Sequence, residues 1–432
     1  MFASEADELL TTLRHRTAPG FLPADCAGEF VLPDYGGRSL ANVAATLALM
    51  LGAVIPGISP PLQDVYWRRQ SLPARRVILV LLDALGYVQL GQMLRLDPAC
   101  VWARLAQQGL LLPMTSVYPS TTGTALATLL TGVEPISHGL LGYELWLREY
   151  GVLAEMLSLK PAYGTGKETL VDYGLVPEAF LPVPGLGALL AKAGVPTTAV
   201  VPAQFTRGTL TRMCYRGFTK VFGYTNVEGM WAIARYVLSH DDAERGLYVL
   251  YWGGIDSTIH VHGTHGGFWE EQFRAVSQAC ETQFLASLGQ RERQGAVLVM
   301  IADHGFVDAP EHLAHDTDAD PVLRRHFLVP YGGEARAAYL YCFDGDGSQE
   351  AIQQALGAGF IVRRSCDAVE AGLFGRGAPA QESLPRLGHL VAISRGQHYL
   401  DRRNLRRKLR GRHGGLSPEE MLVPWLAAPL DA

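Results

Sequence analysis

The sequence predicts an α/β fold with a mostly parallel central sheet flanked by helices. One observation is that three apolar, β-branched runs each end at or shortly before an aspartate. Another is that helical segments separate these runs along the chain, the alternation typical of parallel sheets. The three runs, each with its aspartate, are residues 77–82 with Asp83, residues 247–252 with Asp256, and residues 296–301 with Asp303. Because an open α/β sheet binds its ligands at the carboxyl ends of its strands, the pattern also predicts a functional site there.

Local patterns predict the elements of this central unit in order. Short apolar runs bounded by turn residues indicate strands, and longer segments with helical spacing of apolar residues indicate helices. The predicted strands are residues 77–82, 110–117, 196–201, 247–252 and 296–301. The predicted helices are residues 87–96, 124–130, 227–238 and 268–288.

Two stretches depart from the alternation. Residues from about 144 to 186 contain many Gly, Pro and Tyr, and we interpret them as a loop-like insertion near the site. Residues 320–376 mix strand-like and helical segments, which predicts an inserted α+β cap. The chain then returns to the core with a strand at Leu390–Ser394. The predicted division is therefore a core of residues 1–319 plus 377–432 and a cap of residues 320–376.

Composition indicates a compact globular protein. The chain has 432 residues, of which 48% are hydrophobic and 18% charged, and its formal net charge is −5. This balance gives no reason to expect nucleic-acid binding. Six scattered cysteines without CxxC spacing disfavour a thiolate metal site and a dense disulfide framework. The length allows one elaborated domain or two.

Neither a targeting segment nor a membrane span is predicted. Residues 1–20 start acidic and lack the continuous apolar core of a signal peptide. Residues 40–58 are apolar but are interrupted by Asn42, two glycines and Pro56, which favours a buried helix followed by a turn. The expected location is the cytoplasm. We interpret the basic run at residues 402–412 as a solvated helix face in preference to a phosphate-facing patch.

The polar residues at the strand ends have the chemistry of a metal site. Asp256 and His260 are four residues apart, so one helical turn would place both on one face, where they would hold one cation. Asp303 and His304 are adjacent and precede a glycine, and a tight turn would let both reach a metal. Carboxylate and imidazole ligands without cysteine suit Zn²⁺ or Mn²⁺. Taken alone, Asp83 is explained equally well as a helix cap or turn residue.

A nucleophile is expected in the hydroxyl-rich turn that follows the second strand. A neutral hydroxyl is a weak nucleophile until a metal lowers its pKa, and the start of a helix offers backbone N–H groups to an anion. Helix capping is the alternative explanation for such a run, and the run alone does not select one hydroxyl. Its members are Ser120, Thr121, Thr122 and Thr124.

The C-terminal region adds one candidate ligand, His413. Two glycines follow it and would let the backbone approach a metal closely, although an ordinary loop histidine is the alternative. Ser417 and Glu420 have the spacing of a capping box at the start of a helix. We interpret His262 and His265 as surface groups in preference to neighbours of a metal ligand.

Five segments, in this order, resemble the alkaline phosphatase superfamily, and the most similar branch is the type I phosphodiesterase/nucleotide pyrophosphatase family. The resemblance runs from about Val77 to the C-terminus. The segments are LLDALGY, YPSTTGTALATLLTGVEPISHGLLGY, GGIDSTIH, IADHG and HGGLSPEEMLVP. The resemblance implies an alkaline-phosphatase-like fold and a site with two divalent metal ions, zinc first and manganese second.

The resemblance also implies a role for individual residues. In the family the nucleophile lies nine residues before the Thr of a Thr-Gly pair, and counting back from Thr131 selects Thr122. Where many members place an Asn soon after the His-Gly pair, this chain has Tyr143, whose phenol is expected to bind a phosphate oxygen. His138 is implied to be structural. One metal would be held by Asp83, Thr122, Asp303 and His304, and the other by Asp256, His260 and His413.

The function implied is hydrolysis of phosphate diesters or phosphoanhydrides through a covalent phospho-threonine-type intermediate on Thr122. The runner-up is a phosphomonoesterase or phosphonate hydrolase on the same fold. A non-catalytic module that binds phosphorylated ligands is disfavoured because the full ligand set is present. The expected partner is a small phosphate-containing molecule. Base stacking and core packing are equally good interpretations of five aromatic residues, Tyr143, Trp146, Tyr150, Tyr163 and Phe205.

Overall fold

The structure, a computed structural model, describes residues 2–18, 20–26, 28–68, 70, 72–163, 168–402 and 409–431. Residues 403–408 of the basic run and residues 164–167 of the predicted insertion lie outside this range. The strands are β1 (Arg76–Leu82), β2 (Leu110–Thr115), β3 (Glu144–Leu147), β4 (Val152–Glu155), β5 (Lys160–Pro161), β6 (Thr197–Pro202), β7 (Lys220–Tyr224), β8 (Gly246–Trp252), β9 (Ala296–Ile301), β10 (Val307–Asp308), β11 (Ala314–Asp316), β12 (Gly332–Glu334), β13 (Ala337–Leu340), β14 (Phe360–Arg364), β15 (Leu390–Ser394), β16 (Tyr399–Asp401), β17 (Gly411–Arg412) and β18 (Leu422–Pro429).

Helices surround these strands and lie between most of them in the chain. They are α1 (Phe2–Arg14), α2 (Val43–Met50), α3 (Tyr87–Leu96), α4 (Val101–Gln108), α5 (Thr122–Thr131), α6 (Pro135–His138), α7 (Pro177–Phe180), α8 (Leu186–Lys192), α9 (Thr209–Cys214), α10 (Val227–Ser239), α11 (Gly254–His262), α12 (Phe268–Ala279), α13 (Gln290–Arg293), α14 (Pro321–His326), α15 (Gln349–Leu356), α16 (Ser365–Glu370), α17 (Ser383–Arg386) and α18 (Pro418–Met421).

The central sheet has seven strands in the order β2-β18-β9-β1-β8-β6-β7. Strands β1, β6, β7, β8 and β9 pair in parallel, and β18 is antiparallel to both of its neighbours, β2 and β9. Every residue of β1 and β9 is buried, which explains the apolar sequence of β9 and that of β1 after its first residue, Arg76. The predicted mostly parallel α/β sheet is confirmed. Strands β7 and β18 were not predicted from the local sequence.

A second, antiparallel sheet has the order β14-β15-β13-β12-β3-β4-β5. The prediction of a loop at the start of 144–186 was wrong, because residues 144–155 form a hairpin in which Glu144 pairs with Glu155. Leu390–Ser394 forms the predicted strand, which pairs with β13 and β14 of the second sheet, and its Val391 and Ile393 side chains lie in the main hydrophobic core. The sheet is thus assembled from separate stretches of the chain. The division into a core and a cap at residues 320–376 stays a prediction.

The apolar stretch at residues 40–58 forms the buried helix and turn that its sequence predicts. Helix α2 is almost wholly buried and ends at a turn in which Gly52 has a φ of +70°, a left-handed conformation that glycine adopts without strain. No helix in the described part of the chain is both long and apolar enough to cross a membrane.

Candidate active site

Adjacent strands of the central sheet bring the three predicted aspartates together. Asp83 follows β1 directly, Asp303 lies two residues after β9, and Asp256 is in the first turn of α11, which follows β8. Because β1 lies between β8 and β9, the carboxyl ends of these strands meet at one edge. Ala84 has a φ of +65°, rare for a residue with a side chain, and its N–H donates to Asp303 Oδ1 at 3.2 Å.

The first cluster consists of Asp83, Asp303 and His304, all fully buried. The Nε2 atom of His304 lies 3.5 Å from Asp83 Oδ1 and 3.4 Å from Asp303 Oδ2. Neither of these two carboxylate oxygens has a hydrogen-bond donor among the described residues, although both are buried. Burial first, then the charges of Asp303 and Asp256, raise the pKa of Asp83 well above its usual range. A bound cation would offset the repulsion between the Asp83 and Asp303 carboxylates and would contact the two oxygens that lack hydrogen-bond donors.

The second cluster consists of Asp256, His260 and His413, which are partly exposed. His260 and Asp256 lie one helical turn apart on α11, and His260 Nε2 is 3.3 Å from Asp256 Oδ1. His413 Nε2 lies 3.7 Å from the same oxygen and 3.3 Å from His260 Nε2. Burial and the neighbouring His304 and His260 hold the pKa of His413 well below its usual value.

The histidines of both clusters are held in the tautomer that suits a metal. The Nδ1 atom of each faces a backbone carbonyl: that of Gly305 at 3.0 Å for His304, that of Gly411 at 2.9 Å for His260, and that of Ser120 at 3.1 Å for His413. A carbonyl only accepts, so Nδ1 donates and Nε2 keeps its lone pair. Two such lone pairs face each other at the 3.3 Å contact of the second cluster, an arrangement that a cation between them stabilises.

These residues fit two divalent cations. Six of the predicted ligands form two groups of three, with nitrogen and oxygen donors of the kind that zinc binds. When bound, a divalent cation supplies positive charge to phosphate oxygens and lowers the pKa of a coordinated hydroxyl. The assignment of individual ligands stays a prediction.

Thr122 is the hydroxyl residue that the structure brings to the clusters. It is the first residue of α5, and its Oγ1 lies 3.2 Å from His304 Nε2. The other hydroxyls have different surroundings: Ser120 donates to the Gly415 carbonyl, Thr121 bonds to Glu334, and Thr124 is buried without a hydrogen-bond partner among the described residues. The geometry therefore separates Thr122 from the alternatives that the sequence left open.

Comparisons with known proteins agree with this arrangement. The model of the family "Type I phosphodiesterase / nucleotide pyrophosphatase" matches residues 77–416. The chain belongs to this family. It is a phosphoric ester hydrolase, and dependence on metal ions is typical of its relatives. No curated protein sequence matches the chain.

Solved structures share the fold of this family member at low sequence identity. Murine ectonucleotide pyrophosphatase/phosphodiesterase 5, as an inactive variant in complex with AMP, is 14% identical with a TM-score of 0.61, covering 82% of this chain and 88% of that one. The human protein of the same name is 15% identical with a TM-score of 0.60, covering 82% and 87%. Phosphonoacetate hydrolase from Sinorhizobium meliloti 1021, in complex with phosphonoformate, is 18% identical with a TM-score of 0.60, covering 87% and 92%. These similarities confirm the alkaline-phosphatase-like fold.

Three residues to which the sequence assigned no role at the site, Tyr251, Arg336 and Glu420, support the site of this phosphodiesterase family member. The Tyr251 hydroxyl, at the end of β8, donates to Asp83 Oδ2. Arg336 donates to both carboxylate oxygens of Glu420 at 2.7 and 2.9 Å, and this ion pair is completely buried. Glu420 accepts the N–H of Gly415 at 2.8 Å, so the pair fixes the loop that carries His413. A polar residue at a strand end and the capping-box glutamate were the available sequence signals.

The remaining predicted residues lie where their chemistry suggests. His138 is buried, bonds to Thr128 Oγ1 at 2.9 Å and accepts the Leu140 N–H, and burial lowers its pKa to about 3. That environment agrees with a structural role. His265 is on the surface with a 93% exposed side chain, and His262 stacks against Phe268.

Two cavities open from Thr122 and Asp256 in this family member. The apolar cavity, of about 380 Å³, is also lined by Asp83, Leu126, Leu157, Phe205, Tyr224 and Trp252. The charged cavity, of about 570 Å³, is also lined by Tyr143, Glu144, Glu155, His260, Glu334, Asp401, Arg402, Arg412 and His413. A phosphate at Thr122 would therefore have space for a substituent on each of two sides.

Tyr143 lies in the charged cavity, where its N–H donates to Glu334 Oε1 at 3.0 Å. Its role toward a phosphate oxygen stays a prediction. Among the aromatic residues for which base stacking and core packing were equally good interpretations, Phe205 lines the apolar cavity, whereas Trp146 packs 6.4 Å from Tyr341, outside both cavities. Tyr163 bonds to Arg402.

Proposed function

We propose that this protein is a two-metal phosphodiesterase/nucleotide pyrophosphatase that hydrolyses phosphate diesters or phosphoanhydrides through a covalent intermediate on Thr122. The observation that carries the proposal is the position of Thr122, beside the first cluster and at the junction of two cavities. A phosphate monoester has one substituent on its phosphorus and needs one cavity. A diester, or a phosphoanhydride of a nucleotide, has two substituents on the phosphorus that is attacked and can use both cavities. Zinc is the preferred metal and manganese the alternative.

The chain's own residues account for the chemical steps. Thr122 Oγ loses its proton and forms a bond to phosphorus as the bond to the leaving oxygen breaks, and the leaving group takes up that proton. Water then loses a proton and adds to the phosphorus, the bond from phosphorus to Thr122 Oγ breaks, and Oγ takes up the proton to restore the hydroxyl. The N-terminus of the ten-residue α5 directs backbone N–H groups toward the phosphate. The Tyr143 phenol provides a further donor to a phosphate oxygen.

The charge of the site suits an anionic substrate. Three aspartates, Asp83, Asp256 and Asp303, face two divalent cations, which leaves the site net positive. The positive charge favours a phosphate and, still more, the transition state in which negative charge accumulates on its oxygens. The predicted cytoplasmic location of the enzyme stays a prediction.

The proposal is tested by comparing hydrolysis of bis(p-nitrophenyl) phosphate with that of p-nitrophenyl phosphate by the zinc-loaded protein. We expect kcat/KM to be higher for the diester by about tenfold or more, because the second cavity contributes binding that a monoester cannot use. A preference for the monoester would contradict the proposal and favour the phosphatase alternative.

A phosphonate hydrolase is the second candidate, and the observation that favours it is the similarity to phosphonoacetate hydrolase at a TM-score of 0.60. Release of inorganic phosphate from phosphonoacetate would measure this activity directly. If the protein hydrolyses phosphonoacetate and neither p-nitrophenyl ester, the second candidate replaces the first. Retention of both clusters disfavours a non-catalytic binding module.

We further predict that the apolar cavity binds a nucleobase, with Phe205 contacting its face. Phe205 is 45% exposed and lies among Leu157, Tyr224 and Trp252. Stacking of a base on an aromatic ring contributes about 1–3 kcal/mol, so Phe205→Ala should lower kcat/KM for thymidine 5′-(p-nitrophenyl) phosphate by about tenfold.

The matched control for Phe205→Ala is Phe343→Ala, which removes a 65% exposed phenylalanine that lines neither cavity. This variant should hydrolyse the nucleotide ester at the wild-type rate. An equal loss in both variants, or none in Phe205→Ala, would argue against a base in this cavity.

A further inference from the structure

The two cavities share Thr122 and Asp256 but differ in the other cluster residues that line them. Asp83 of the first cluster lines the apolar cavity, whereas His260 and His413 of the second cluster line the charged cavity. Thr122 Oγ1 lies against His304 of the first cluster. In a displacement at phosphorus the entering and leaving oxygens lie on opposite sides. A leaving oxygen opposite Thr122 Oγ1 would therefore lie toward His260 and His413, with its leaving group in the charged cavity.

Among the described residues that line the charged cavity, one arginine has available donors. Arg412 has a side chain that is 14% exposed, and its guanidinium lies over the Tyr399 ring at 4.4 Å. Its shortest charge contact is with Asp401 Oδ1 at 3.7 Å, which is longer than a hydrogen bond. Its Nε is buried and has no hydrogen-bond partner within the described ranges. Stacking on the Tyr399 ring holds this guanidinium at the cavity wall, next to His413 in the chain.

Arg402, the second arginine among the described lining residues, already has partners. Arg402 donates to the Glu144 carboxylate and to the Tyr163 hydroxyl at 2.6 Å, and both members of its ion pair are nearly buried. The ion pair neutralises Glu144 and leaves Arg402 little capacity for a ligand. Arg412 therefore differs from Arg402 in having donors that a ligand would satisfy.

Two acidic residues of the cavity oppose a bound anion only weakly. Burial raises the pKa of Glu334 to about 8, so this group is mostly uncharged at neutral pH. Asp401 is 41% exposed and is therefore at the solvent-facing side.

We propose that Arg412 binds an anionic leaving group in the charged cavity and thereby selects phosphoanhydrides, such as nucleoside triphosphates, over diesters with an uncharged leaving group. The inference rests on the proposed function. A planar guanidinium with unpaired N–H groups matches the oxygens of a phosphate, to which it forms charge-assisted and frequently bidentate hydrogen bonds. A substrate that carries a phosphate or pyrophosphate beyond the cleaved bond would satisfy Arg412, and a simple alcohol would not.

The test compares thymidine 5′-triphosphate with thymidine 5′-(p-nitrophenyl) phosphate, which share the retained group and differ in the leaving group. In Arg412→Gln we expect kcat/KM for the triphosphate to fall about tenfold or more relative to the p-nitrophenyl ester. Arg412→Lys, which keeps the charge and loses the planar fork, should recover part of the loss. An equal loss for both substrates would overturn the proposal, because it would assign Arg412 a role in supporting His413.

The matched control is Arg410→Gln, which removes the same charge from an exposed residue that lines neither cavity. This variant should keep the wild-type ratio of the two kcat/KM values. The same change of ratio in Arg410→Gln would overturn the specific role of Arg412 in favour of a general charge effect. Failure of the proposed function would be distinct, since the wild-type protein would then hydrolyse neither substrate.

Discussion

Replacing Thr122 with alanine is expected to lower kcat for bis(p-nitrophenyl) phosphate by at least about 10³-fold, a loss typical of a missing nucleophile. Thr122 Oγ1 lies 3.2 Å from His304 Nε2, within reach of a cation held by Asp83, Asp303 and His304. The alanine variant keeps those three side chains and should retain its metal ions. The measurement combines steady-state hydrolysis with metal analysis of the same preparation.

Two further variants separate the nucleophile from its neighbours. Thr122→Ser keeps a hydroxyl at the same position and should keep measurable activity. Thr124→Val removes a buried hydroxyl that has no hydrogen-bond partner among the described residues and preserves the side-chain shape, so it should remain fully active. Full activity in Thr122→Ala, or a large loss in Thr124→Val, would show that the nucleophile is another group.

The strands that are easiest to predict from the sequence are those that are buried along their whole length. Strands β1 and β9 are buried on both faces, so every residue of β9, and every residue of β1 after Arg76, is apolar, and each run is readily recognised in the sequence. Strand β18 contains Pro424 and Pro429, which argue against a central strand in the sequence. The structure accommodates Pro424 because the pairing of β18 with β9 begins only at Trp425. That tolerance depends on tertiary register, which the local sequence does not contain.

The hairpin of β3 and β4 shows a similar limit. Its strands have four residues each, and Glu144 pairs across the sheet with Gly333, which is far away in the chain. A short strand in a segment rich in glycine and proline has too few residues to show period-two alternation. Strand β7 has mostly exposed residues at the edge of the central sheet, so it lacks an apolar run as well.

The candidate ligands were predictable because each lies in a short motif directly after a strand or before a helix. Their supporting residues were not, since support depends on contacts between distant segments. Tyr251 belongs to an apolar strand, and only the pairing of β8 with β1 brings its hydroxyl to Asp83. Arg336 reaches Glu420 from the second sheet, and no local pattern of the sequence connects the two.

Metal removal is expected to destabilise the protein at neutral pH and abolish hydrolysis. Without a cation, Asp83 and Asp303 are buried with carboxylate oxygens that lack donors among the described residues. Binding at a free concentration of one thousand times Kd stabilises the folded state by about 4 kcal/mol for each ion. Dialysis against EDTA should therefore lower Tm by several degrees, and added Zn²⁺ should restore both Tm and activity. Unchanged Tm and activity after dialysis would exclude a metal site.

The pH dependence of folding stability should differ between the metal-free and the metal-loaded protein. The pKa of Asp83 in the metal-free folded protein is raised above its unfolded value by burial and by Asp303. A carboxyl with a raised folded pKa binds protons more tightly when folded, so its contribution to stability is lost as pH rises from the unfolded pKa through the folded one. Protonation of Asp83 in mild acid should therefore stabilise the folded state of the metal-free protein. In the metal-loaded protein protons compete with the cation, and acidification should instead lower Tm.

Variants of each cluster should remove the ions separately. Asp303→Asn alters the first cluster and His413→Gln the second, so metal analysis should give about one ion for each variant chain against two for the wild type. The remaining cluster keeps its three side chains in each case, which predicts retention of one ion. The matched control is His262→Gln, which changes an exposed histidine at the end of α11, the helix that carries Asp256 and His260. This variant should keep both ions. Loss of both ions from either variant would show that the clusters form one cooperative site, and retention of both would place the ligands elsewhere.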